Sequence, residues 1–357
     1  DRARQQWGVE LPVPEGSAGP AGSGGQWYVA QSADGLDWQL LPGAPSLPGF
    51  DDDGRIIRDT HRDCYWGYMK AVMGIGLRRQ RTINVIHSPD LRQWDDARVA
   101  LVPDELDDQL ARAEGFVTAD FYNFCMIPYE GFMVGFMSVL KHWDPPTEFE
   151  KRRAGPLAYY GMVEIQMVYS YDGYFWHRPR GREPFLPRRE RGNHWGCGYL
   201  GNTAIEVGDE LWLYHSFFER SHGYGLSVKM QTRDDLGVDQ EFQPRAAFLA
   251  RIKRDRFASI TCNFDGSFVA PHGKVEGDHF HLNACCPYGS VRVQVLTPAG
   301  EPVEGFGVEE STVFNGDSVD AEITWNGKTL ADLAPDQEYD FRFALWDADV
   351  FAYEIGD

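Results

Sequence analysis

"SYDGYFWHRP" (Ser170–Pro179) opens with seven residues of the form Ser-x-Asp-x-x-x-Trp, and two other stretches share that form. Ser32–Trp38 reads "SADGLDW" and Ser88–Trp94 reads "SPDLRQW", so the copies start 56 and then 82 residues apart. Apolar, β-branched runs such as "INVIHS" and "IQMVYS" lead into the serine, and the tryptophan begins or flanks the next strand. That context predicts a hairpin whose turn aspartate accepts hydrogen bonds from the loop's own backbone N–H groups. The tryptophan, large and flat, is expected to fill the gap between neighbouring sheets. Hairpin signatures recurring at blade-sized intervals of about 45 residues mark a β-propeller. The longer second interval contains a helical window at Asp104–Glu114 and the charged loop "DPPTEFEKRRAG", so one blade is expected to carry insertions.

Working outward, strand signals dominate: "YWGYMKAV", "GFMVGFMSVL" and "ELWLYHSFF" are short, aromatic or β-branched, and bounded by turn residues. A second short helical window lies at Pro145–Arg153. Beyond about Arg256 the texture changes to period-two alternation, as in "SVRVQVLTPAG" and "YDFRFALWDADVFAYEI", which suits an antiparallel β-sandwich. The expected fold is all-β, a five-bladed propeller over 1–258 followed by a sandwich over 259–357.

Of the 357 residues 43% are hydrophobic and 14% aromatic, enough for a large core. The net charge of -20 argues against nucleic acid and against an anionic membrane surface as partners. The longest apolar stretch, Gly131–Leu140, is too short to span a bilayer. The six cysteines, none in a C-x-x-C pair, are expected as mostly buried free thiols, which suggests a reducing, cytoplasmic location. His279 and His281 share a strand face, but no third ligand stands at recognisable spacing, so no metal is expected. No nucleotide, dinucleotide or serine-hydrolase motif is present, and no cofactor is expected.

The phrase "SPDLRQW" resembles the blade hairpins of five-bladed propeller glycoside hydrolases of families 32, 43 and 68. A propeller followed by a sandwich resembles the family 32 layout in particular, and Tyr169–His215 resembles proteins described as family-32-like. The resemblance implies activity on a glycoside, with a furanoside such as a fructoside or arabinofuranoside as the expected substrate class, by hydrolysis or transfer. The family's Trp-Met-Asn-Asp-Pro-Asn-Gly, Arg-Asp-Pro and Glu-Cys motifs are absent, so no catalytic residue is carried over by motif. Sialidases also use Asp-box hairpins, and a sialidase-like exo-glycosidase is an alternative expectation, although their Arg triad is not assignable here and their hairpin spacing differs by one residue.

Glycoside hydrolysis needs two carboxyl groups, one protonated and one ionised, across the scissile bond. Candidates are sought where propeller strands enter the central funnel. Asp51, Asp52 and Asp53 form an acidic run before a strand; Asp120 and Glu164 are acids set among apolar residues, where an unpartnered carboxylate is costly. The working assignment makes Asp52 a nucleophile or base, Glu164 the general acid and Asp120 a holder of hydroxyls, with Glu219 able to exchange roles. Asp51, Asp53, His61, His194, Trp195, Glu219 and His222 are expected to bind an oligosaccharide or glycoside substrate through stacking and hydrogen bonds. The rival expectation is a non-catalytic carbohydrate-binding propeller, and behind it a protein-interaction propeller.

Overall fold

The computed structural model describes residues 30–40, 53–75, 78–129, 131–143, 161–188, 196–218, 221–222 and 245–357. These are mostly strand. They fall into two compact units, residues 1–204 with 213–250, and 205–212 with 251–357.

In the first unit the Ser-x-Asp phrase occupies the same place three times. It joins β1 (Ala30–Gln31) to β2 (Gln39–Leu40), which pair antiparallel. The meander of β3 (Gly54–Asp59), β4 (Cys64–Ile75), β5 (Arg78–Ser88) and β6 (Arg98–Leu101) carries it between its third and fourth strands. So does the meander of β7 (Thr118–Pro128), β8 (Met133–His142), β9 (Gly161–Ser170) and β10 (Pro184–Leu186). In each turn one aspartate oxygen accepts two backbone N–H groups: Leu36 and Asp37 on Asp34, Arg92 and Gln93 on Asp90, Tyr174 and Phe175 on Asp172, all at 2.8–2.9 Å. The residue after the aspartate is left-handed every time, with φ of 78° at Gly35, 63° at Leu91 and 78° at Gly173.

The three tryptophans differ. Trp176 is buried between the two meanders, its ring 5.6 Å from Tyr68 and 4.9 Å from Phe124, and Tyr68 Oη donates to Gly173 O of the same turn at 2.9 Å. Trp94 packs on its own sheet, against Met69 and Ile86, while Trp38 is 46% exposed. Among the described residues the inter-sheet role expected of all three is seen for the third alone.

The helical window at Asp104–Glu114 forms α1 (Glu105–Ala113), with Asp104 as N-cap and Asp107 closing a capping box; the window at Pro145–Arg153 lies outside the described residues. After the second meander, β11 (Cys197–Leu200) does not start a separate sheet. It joins β9 through a single parallel bridge, Cys197 to Val163, and pairs antiparallel with the next long strand. The described residues thus display two meanders, not a fivefold repeat. The short β12 (Ile205–Val207) pairs with the start of β13 (Glu210–Phe218), and β14 (Arg245–Lys253) also pairs with β13.

The second unit is built on one antiparallel sheet in the order β15 (Ile260–Lys274), β18 (Glu338–Gly356), β16 (His279–Leu296), β17 (Phe314–Ile323). Its strands are too long to stay straight. Phe280 and Val295 stand at opposite ends of β16, which fully extended would put them roughly 50 Å apart. Yet the Phe280 ring is 5.0 Å from that of Phe341, the register partner of Val295. The sheet has doubled over, and its two halves enclose one apolar core that includes Phe280, Val293, Phe343 and Trp325. Bulges make the corner: register shifts between Cys285 and Ser290 on β16 and between Cys262 and Asp265 on β15. All six cysteines are free thiols, four of them buried.

Candidate active site

Polar side chains converge around the ring of Tyr122 on β7. Lys70 Nζ from β4 lies 3.9 Å from the ring centroid and the Arg81 guanidinium from β5 lies 5.7 Å away. His222 meets the ring edge-on at 4.9 Å and Tyr199 lies at 5.9 Å. Lys70 and Arg81 are almost fully buried, although the chain is acidic overall.

Two carboxylates face this cluster. Asp120 Oδ2 accepts from Arg81 Nη1 at 2.7 Å and lies 3.2 Å from His142 Nε2, all three side chains being buried. Burial alone would raise the Asp120 pKa, but His142 and Arg81 outweigh it and hold the carboxyl below its ordinary value. Asp53 accepts from Asn123 Nδ2 at 2.8 Å and Arg55 Nη1 at 2.6 Å, and its carbonyl accepts the Lys70 backbone N–H at 3.0 Å. Burial pushes the Tyr199 phenol well above its usual range, and Cys197, Tyr122 and Asp53 add to the rise.

Asp53, Asp120 and His222 are therefore brought together. Glu164 is not. Asp120 pairs with Leu140 across β7 and β8, whereas Glu164 pairs with Val139 across β8 and β9. Adjacent residues of a strand point to opposite faces, so Asp120 and Glu164 project from opposite sides of one sheet and cannot flank a bond between them. Glu164 is an internal ion-pair partner: Lys141 Nζ lies 2.8 Å from one oxygen and Gln166 Nε2 donates to the other at 2.8 Å. His61 is also apart, exposed in the β3–β4 turn, where its N–H donates to the buried Asp59. Asp59 also accepts from Arg62 and Trp66, so the "RDTHRD" phrase builds a turn. Asp51, Asp52, His194, Trp195 and Glu219 lie outside the described residues.

Sequence reasoning missed Lys70, Arg81, Tyr122, His142 and Tyr199. A signal existed for the cations: Lys70 and Arg81 interrupt the strands "YWGYMKAV" and "RTINVIHS", where a charge demands a partner. Among the described residues no group of His, Cys, Asp and Glu could hold a metal ion.

No protein-family model matches the sequence, and no curated protein matches it. The chain has a distant structural likeness to glycoside hydrolases of family 32. The β-fructofuranosidase of Bombyx mori is 11% identical over 91% of this chain and 71% of that one, at a TM-score of 0.34. The chain is also similar to an N-acetylgalactosamine deacetylase from F. plautii, at 16% identity over 53% of this chain, with a TM-score of 0.34. A β-1,2-mannobiose phosphorylase from Listeria innocua is 16% identical over 54% of this chain, with a TM-score of 0.36. The chain spans about half the length of these last two, 46% and 48%. Likenesses this loose establish no residue correspondence.

Proposed function

We propose that the chain is a glycoside-processing enzyme, a five-bladed propeller with a C-terminal sandwich, acting at the cluster around Tyr122. The observation that carries the reading is the convergence of Asp120 and His222, drawn from distant parts of the sequence, with buried cations about one aromatic ring, and of Asp53, whose carboxylate helps to raise the pKa of the neighbouring Tyr199. Its depressed pKa suits Asp120 to an ionised role, holding substrate hydroxyls or supporting charge, rather than to proton donation. Asp52, next to Asp53, is then the nucleophile or base. With Glu164 on the other face, the acid role passes to Glu219, which directly follows Phe218 and precedes His222 by three residues. A furanoside such as a fructoside or arabinofuranoside is the substrate class we favour.

The test is product release from a panel of aryl glycosides and oligosaccharides, furanosides included. Wild type is expected to release sugar from at least one, and Asp52→Asn and Glu219→Gln to lose about 10²–10⁴-fold in kcat while remaining folded. Glu164→Gln is expected to lower the melting temperature and leave kcat within a few-fold. Equal turnover by all variants would sink the assignment. Silence of wild type across the panel, with sugar binding retained, would favour the carbohydrate-binding alternative; the neutralisation of Asp120 and of Glu164 by basic side chains points toward that reading.

A further inference from the structure

Three aromatic rings stand in solvent at one level of the second unit, one on each of three neighbouring strands. Phe264 of β15 is 76% exposed, Tyr288 of β16 89% and Trp346 of β18 54%. Register sets the level, because Trp346 pairs with Asp265 on one side and Ser290 on the other. This is the corner of the doubled sheet: Phe264 and Tyr288 lie inside the two bulges, and Asp347 takes a left-handed φ of 42°. Bulges re-aim side chains, and left-handed non-glycine residues persist only where their surroundings hold them. A corner needs bulges, but it does not need exposed aromatic rings, which here forgo the burial that builds the core.

The backbone under the rings is fixed. Asn315 Nδ2 donates to the carbonyls of Cys286 at 3.1 Å and Gly289 at 2.7 Å, pinning the loop that carries Tyr288. A Cβ on Gly289 would come within 1.8 Å of the Trp346 carbonyl oxygen, so only glycine lets the two strands approach this closely. On the other flank the Ser259 and Thr261 hydroxyls both donate to Asp349. A surface already held in place loses little entropy on binding a ligand.

We propose that this corner binds a neutral polysaccharide chain. The rings are interleaved with Asn263, Asp265 and Asp347, and the segments 259–267, 285–290 and 345–350 contain no Lys or Arg. Lys253 and Arg256, beside Cys285, are engaged by Asp317, and among the described residues Asp265 and Asp347 form no ion pair. Carboxylates left unpaired repel nucleic acid and anionic lipid, and in a protein–protein interface they would be desolvated unpaired. A sugar chain satisfies both halves of the surface: its C–H faces stack on the rings and its hydroxyls donate to the carboxylates. Strands about 4.8 Å apart spread the three positions over roughly 10 Å, longer than one sugar ring, so a chain fits better than a monosaccharide. The proposal does not rest on the activity assigned to the first unit.

Electrophoresis of the full chain through native gels containing inulin, arabinan, xylan, mixed-linkage glucan or mannan tests it. Retardation is expected in at least one gel, with at least a tenfold loss of affinity in Trp346→Ala, a further loss in Trp346→Ala combined with Phe264→Ala and Tyr288→Ala, and recovery in Trp346→Tyr. Melting temperature, and any turnover of a small aryl glycoside, stay at wild-type levels, which separates this surface from the Tyr122 cluster. Absence of retardation in every gel overturns the proposal, as does retardation that survives loss of all three rings. A wild-type dimer that the triple variant converts to monomer would identify a second copy of the chain as the occupant and equally overturn it.

Discussion

Leu91 occupies the place that Gly35 and Gly173 hold in the other two turns, with the same left-handed backbone. A β-carbon there costs roughly 1–2 kcal/mol, while glycine costs roughly 0.5–1 kcal/mol in extra freedom of the unfolded chain. Leu91→Gly is therefore expected to stabilise the protein by about 0.5–1 kcal/mol, read as a higher urea midpoint with an unchanged slope. The reverse change is not uniform. A Cβ at Gly35 meets nothing within 4 Å, whereas at Gly173 it would come within 2.7 Å of the Trp66 ring. Gly173→Ala should destabilise clearly more than Gly35→Ala, and equal effects would show that backbone strain alone decides.

At the scale of the element, the turn aspartate is the fastener. Asp172 accepts two backbone N–H groups in a turn also held by Tyr68 and Trp176, so Asp172→Ala should cost roughly 1–2 kcal/mol. Asp34→Ala removes the same bonds from a hairpin of two-residue strands and should cost less. Urea unfolding of both variants checks the order. This element was legible because its bonds are local: serine, aspartate and tryptophan sit at fixed offsets and need no distant partner. Glu164 was not, since the face it takes depends on the register of β8 against β9, and its partner Lys141 is distant in sequence. The pairing had left a trace, one lone acid and one lone ammonium in neighbouring apolar strands, visible once both are considered together. The Tyr122 cluster was half legible: its acids stood out as misplaced charges, but nothing local aims Lys70 and Arg81 at one ring. The doubled sheet was legible as alternation; that two layers come from one set of strands was not, because the bulges between Cys285 and Ser290 and between Cys262 and Asp265 leave no pattern in composition.

For the whole molecule, several carboxyls titrate below their ordinary value of 3.8. The Arg182 guanidinium holds Asp104 at about 2, Lys253 and Arg256 lower Asp317, and the turns' own N–H groups lower Asp34 and Asp90. On acidification the unfolded chain takes up these protons first, so stability is full above about pH 5 and falls progressively toward pH 2. Asp255, raised by burial, works in the opposite direction. Urea midpoints measured from pH 7 to pH 2 should show this loss, and Asp104→Asn should shrink it; a variant with the wild-type acid limb would show that its pairing with Arg182 does not matter to folding.

The division of the chain has a consequence for how the protein is made. Residues 205–212 belong with 251–357, so this hairpin leaves the ribosome some forty residues before the segment it joins. A fragment starting at residue 251 would lack that hairpin, and one ending at residue 250 would carry it without its unit. Because β13 begins in one unit and ends in the other, no single cut yields two whole pieces. A gene for either unit alone would have to be spliced or permuted rather than merely shortened.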